Sequence, residues 1–98
     1  MSIIGTFTKQ NDGFQGNIET LTIKTKANFV SVEKSGDKAP DFRLYAGKAE
    51  IGAAWSSTTK EGKPYISVKL DDPSFATAIW CRLVETDKGH NLVWTRPQ

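Results

Sequence analysis

Apolar and polar residues along this chain trade places at every second position, and no stretch sustains a helical repeat. Turn-forming residues arrive about every ten positions, and the runs between them are rich in Val, Ile, Thr, Phe, Tyr and Trp. The first predicted strand runs from Ile3 to Lys9 and ends at Asn11-Asp12-Gly13, residue types that tolerate positive φ. The second runs from Phe14 to about Lys24. Ile18 is out of phase there with Leu21 and Ile23, which predicts a bulge or bend near Thr20. The third spans Asn28 to Lys34, with Val30 and Val32 on one face, and Ser35 to Pro40 reads as a polar loop.

The fourth strand, Asp41 to Ala46, turns at Gly47-Lys48 into a fifth in which Ala49, Ile51, Ala53 and Trp55 share a face. Glu61-Gly62-Lys63 forms the next hairpin. The sixth strand alternates most cleanly, with Ile66, Val68 and Leu70 set against Tyr65, Ser67 and Lys69. Asp72 followed by Pro73 can cap a short helical turn near residues 72–77. The seventh strand runs from Ile79 to Val84. Asp87-Lys88-Gly89 leads into the last, Asn91 to Thr95, which Pro97 ends. The expected fold is all-β: an antiparallel sheet of six to eight strands curled into a sandwich or partly open barrel. Its expected core holds Phe7, Ile18, Val30, Val32, Leu44, Ile51, Trp55, Ile66, Val68, Leu70, Phe75, Ile79, Leu83, Leu92 and Trp94.

Composition narrows the class. Ninety-eight residues, 38% of them hydrophobic, suffice for one thin core, so residues 1–98 read as a single domain without linker or repeat. No apolar run reaches the roughly 18 residues that span a bilayer, and Met1-Ser2-Ile3-Ile4-Gly5 lacks the pattern of a secretory signal. One cysteine cannot form an internal disulfide, which points to a reducing, cytoplasmic setting. The formal charge is +2, with seven basic and five acidic residues in 1–49 and six of each in 50–98. That balance gives charge-driven coating of nucleic acid little support, while leaving room for a local patch.

Catalytic chemistry finds few candidates. His90 stands beside Gly89 in a turn with no nucleophile or acid motif around it, the ordinary setting of a solvated turn residue. Cys81 alternates with Ile79 and Leu83 and reads as a small buried hydrophobe. One Cys and one His cannot build a zinc site. Asp71 and Asp72 are adjacent carboxylates, but Asp-Asp-Pro is an ordinary turn opener. No glycine pair leads into Lys-Ser or Lys-Thr to cradle phosphate. The chain is therefore expected to have no catalytic residues, cofactor or metal.

One constellation carries binding chemistry. With Phe42 and Leu44 inward, Arg43 and Tyr45 point outward. With Ile66, Val68 and Leu70 inward, Tyr65 and Lys69 point outward. With Ile79, Cys81 and Leu83 inward, Trp80 and Arg82 point outward. Each of three strands thus offers one aromatic ring and one cation on the same side. On one sheet, Arg43, Tyr45, Tyr65, Lys69, Trp80 and Arg82 would form a surface on which single-stranded bases stack while cations meet phosphates. The same residue types also pair across strands simply to support a sheet.

Ile4-Gly5-Thr6-Phe7-Thr8-Lys9, Leu21-Thr22-Ile23, Ala39-Pro40-Asp41-Phe42-Arg43 and Ala49 to Trp55 follow one pattern together with Tyr65 to Phe75 and the closing Leu92 to Pro97. The pattern resembles a small bacterial family catalogued as a domain of unknown function, number 736. The stretch Ser67 to Phe75 is its most specific part. The resemblance implies a bacterial cytoplasmic protein, often encoded on plasmids and integrative elements, and it supplies neither catalytic residues nor a ligand. Two functions therefore compete: a binding module for single-stranded nucleic acid, and a protein-interaction or self-association module, including a homodimer, that uses an exposed strand edge. An enzyme resting on Asp71 and Asp72 is a distant third.

Overall fold

The computed structural model describes residues 2–33 and 35–94. It contains eight strands: β1 (Ser2–Gln10), β2 (Gly13–Glu19), β3 (Lys24–Ser31), β4 (Phe42–Ala46), β5 (Ala49–Thr58), β6 (Pro64–Leu70), β7 (Ile79–Thr86) and β8 (Gly89–Trp94). Each is antiparallel to its neighbour in sequence, and β1 pairs with β8, so the sheet closes into an up-and-down barrel. This corrects the expectation of a sandwich or partly open barrel. It also removes the exposed strand edge, because every strand has partners on both sides. No helix is present among the described residues. Around residues 72–77 a single turn stands instead, with the Phe75 N–H donating to the Asp72 carbonyl at 2.9 Å.

Closure follows from short connections and a shared interior. Asn11 adopts φ 50° in the β1–β2 turn and Gly47 adopts φ 63° between β4 and β5, the left-handed conformations that such tight hairpins demand. An eight-stranded barrel is just wide enough for side chains to fill it. Here Phe7, Phe29, Leu44, Val68, Leu83 and Leu92 fill it, each at most 2% exposed. Phe7 and Phe29 meet edge to face with centroids 5.0 Å apart, and Phe14 continues the cluster onto Phe29 and Phe42.

Several expectations shift by one residue. The predicted second strand divides: residues 20–23 form a hairpin turn in which the Thr20 N–H donates to the Ile23 carbonyl and the Ile23 N–H to Thr20 Oγ1. The irregularity expected near Thr20 is therefore a change of strand. β3 consequently starts at Lys24, with Ala27 and Phe29 inward and Val30 outward at 45% exposure. Val32, also assigned to the core, lies beyond β3 and is only half-buried. Register shifts instead at Ile3/Gly5 on β1 and at Leu44/Tyr45 on β4, opposite Gly52/Glu50. Beyond the second of these, Gly52 and Ala54 face the core and Trp55 faces outward, contrary to its expected place in the core. The expected strand residues Lys34 and Thr95, and Pro97 after them, lie outside the described residues.

Candidate nucleic-acid interface

The outward face of β4 to β7 is assembled by register. Arg43 of β4 lies opposite Ala53 of β5, which lies opposite Lys69 of β6, which lies opposite Trp80 of β7. The next row runs from Trp55 through Ser67 to Arg82. Tyr65 follows two residues before Ser67 on β6, and Tyr45 two residues after Arg43 on β4, opposite Asn28 and Glu50. All six residues named from the alternation therefore point out of the barrel, onto its convex outer surface.

Four of them come together directly. The Arg82 guanidinium lies over the Tyr65 ring at 4.7 Å, and Lys69 Nζ lies 5.8 Å from the centre of a Trp80 ring. These are distances at which a cation is attracted to the negative face of an aromatic ring. Arg43 stands apart, its Nη1 donating to Glu50 Oε2 at 3.1 Å. Lys69 also pairs loosely with Asp71 at 3.8 Å. The β4 pair thus flanks the cluster across Ala53 and does not join it.

The ring that completes the surface is Trp55. Its centroid lies 6.0 Å from that of Trp80 with the planes inclined by 31°. The strand between them carries Ser67 opposite Trp55, and this short side chain leaves room for two indoles to meet above β6. Trp55 Nε1–H donates to the Lys38 carbonyl at 3.0 Å, which fixes one indole and ties the β3–β4 loop to this face. Trp80 is 55% exposed. Sequence alternation missed Trp55 because an irregular register at Ile51 inverts the phase of β5, and because the true inward residues, Gly52 and Ala54, are too small to signal a core strand.

The remaining candidates hold structural positions. Cys81 is buried, and loss of solvent pushes its thiol up to about 11. His90 packs edgewise on Phe14 at 4.7 Å at the end of the barrel opposite the chain termini, and is not a solvated turn residue. Asp72 Oδ2 accepts hydrogen bonds from the Ser74 N–H at 3.0 Å and its hydroxyl at 2.6 Å, which hold its carboxyl below the usual range. No group of three or more potential metal ligands gathers among the described residues. Among the described residues no helix is long and apolar enough to cross a membrane.

No curated protein and no solved structure matches this chain. One family model does match, over residues 3–97, and its description is "Protein of unknown function (DUF736)". With nearly the whole barrel inside that match, from the first residues of β1 to the end of β8, the chain belongs to the DUF736 family.

Proposed function

We propose that this protein binds single-stranded nucleic acid on the outer face of β5 to β7. The observation that carries this reading is the outward Trp55–Trp80 pair, with Trp80 exposed beside Lys69 and Arg82. Each base that stacks on an exposed ring gains ~1–3 kcal/mol, and the lysine and arginine beside the rings neutralise phosphates. With Lys69 and Arg82 as the cations beside the ring pair, and Arg43 held by Glu50 at its flank, binding is weak and local, which suits a chain of formal charge +2. The log of affinity should fall with the log of salt with a slope of about −1.4, two phosphates on a single strand at roughly −0.7 each. The free thiol of Cys81 suits a reducing cytoplasm, and the bacterial, mobile-element setting implied by the resemblance would supply single strands.

Titration with short single-stranded oligonucleotides at low salt should quench tryptophan fluorescence. Trp80→Ala should weaken binding by about tenfold or more, the loss of one stacked base. Absence of quenching at micromolar concentration overturns the proposal. A second reading, a protein-interaction surface, draws on Ile3, which is 62% exposed and pairs with Val93 next to Arg82. It predicts a partner whose binding is insensitive to salt and lost in Ile3→Ser.

A further inference from the structure

The two ends of the barrel differ. At one end, where β1 begins and β8 finishes, an apolar mouth of about 590 Å³ opens between the β2–β3 and β6–β7 turns. Ile4, Ile23, Phe75, Ile79 and Trp94 line it above Leu70. Leu21 stands on its rim at the tip of the β2–β3 turn, 101% exposed. A fully exposed leucine beside an apolar recess is a knob and a hole on one face. In the closed strand order the β2–β3 turn lies diametrically across the mouth from the β6–β7 turn. Lys24 and Lys26 flank the first, with Glu19 3.8 Å from Lys24, and Asp71 and Asp72 begin the second, with Lys69 3.8 Å from Asp71, so the first rim stays net positive and the second net negative.

A two-fold axis that sets two such mouths face to face brings each basic rim onto the other copy's acidic rim, and each knob over the other's recess. This is the self-complementarity that an isologous contact requires. The end face of a molecule measuring 33 × 29 × 28 Å offers roughly 600 Å² per copy, about 1,200 Å² in the pair, the lower bound for a specific association. We propose that the protein forms an end-to-end homodimer through this mouth, with Leu21 seated in the partner copy and Lys24 facing the partner's Asp71–Asp72 turn. This surface meets the Trp55–Trp80 face at Asp71, which pairs with Lys69 at 3.8 Å, whereas Leu21 stands on the opposite side of the mouth from that face.

Sedimentation of the full chain across concentration should show a reversible monomer–dimer equilibrium with a dissociation constant in the micromolar range, on the order of 1–100 μM for so small an interface. Leu21→Asp, on an exposed turn, should raise that constant at least about tenfold, while leaving the melting temperature of dilute protein and oligonucleotide quenching unchanged. Lys24→Glu should weaken the dimer, and combining it with Asp71→Lys and Asp72→Lys should restore it. A strict monomer at all concentrations, as expected if an apolar small molecule or the chain itself occupies the mouth, overturns the proposal. So does a dimer indifferent to Leu21→Asp. Loss of oligonucleotide binding with the dimer intact would reject the nucleic-acid reading alone.

Discussion

Burial moves Cys81 and His90 away from their charged forms, with opposite consequences for pH. The buried thiol of Cys81 holds its proton to about 11, whereas an unfolded chain releases it near the thiol's ordinary value of 9.0. The stability contributed by the neutral thiol is thus complete below pH 9 and is lost as pH rises towards 11. Ellman's reagent at pH 7.5 should leave the native thiol untouched and react at once in denaturant. For His90, burial lowers the pKa below 6.5, Lys9 lowers it further, and Glu85 partly opposes them. The unfolded chain therefore takes up a proton at higher pH than the folded one, so this contribution is present above pH 6.5 and declines as pH falls. Nδ1 of this ring is buried without a hydrogen-bond partner among the described residues. His90→Phe keeps the ring on Phe14 and removes the orphan ring nitrogen. It should be neutral or stabilising by ~1 kcal/mol and flatten the slope of urea stability between pH 5 and 7.

Strand phase governs what each element can present, and β5 shows how one residue decides it. Its inward positions after the irregularity at Ile51 are Gly52 and Ala54, and a Cβ built on Gly52 would run into the Lys69 carbonyl oxygen of β6. Gly52→Val should therefore cost at least ~2 kcal/mol in urea unfolding by overpacking the barrel wall, and it should disturb Trp55 three residues on. The strands with strong apolar alternation, β4, β6 and β7, were legible in the sequence down to the facing of Arg43, Tyr45, Tyr65, Lys69, Trp80 and Arg82. β3 and β5 were not. Val30 and Val32 imitate an inward pair on β3, and the residues that do fill the interior beside them, Ala27 and Phe29, sit one position out of step. On β5 the irregular register has no sequence signature apart from two small residues. Half of the ring pair at the candidate site was hidden by that single inversion.

At the scale of the molecule, the closing contact is the pairing of β1 with β8, the two strands farthest apart in sequence. Alternation reports which side of a strand is buried and is the same for a sandwich and a barrel, so closure could not be read from it. Closing a loop of nearly the whole chain must precede the reward of that pairing, which places folding in the slow range of roughly milliseconds to seconds. Two variants separate closure from mere composition. A chain ending after Thr86 lacks Leu92 and Trp94 and leaves β1 and β7 with unpaired edges, so it should lose cooperative unfolding and aggregate. A circular permutant has the opposite expectation. Ser2 and Trp94 are paired neighbours, so a short linker can join the ends, with new termini placed in the exposed Glu61–Gly62 turn. Every strand keeps both partners, and the melting transition should stay cooperative within a few degrees of the parent. Leu92→Ala in the parent sets the scale between them, a loss of ~2–5 kcal/mol with the barrel still closed. A truncated chain that melts cooperatively, or a permutant that does not, would show that the β1–β8 seam is not what holds these eight strands in one ring.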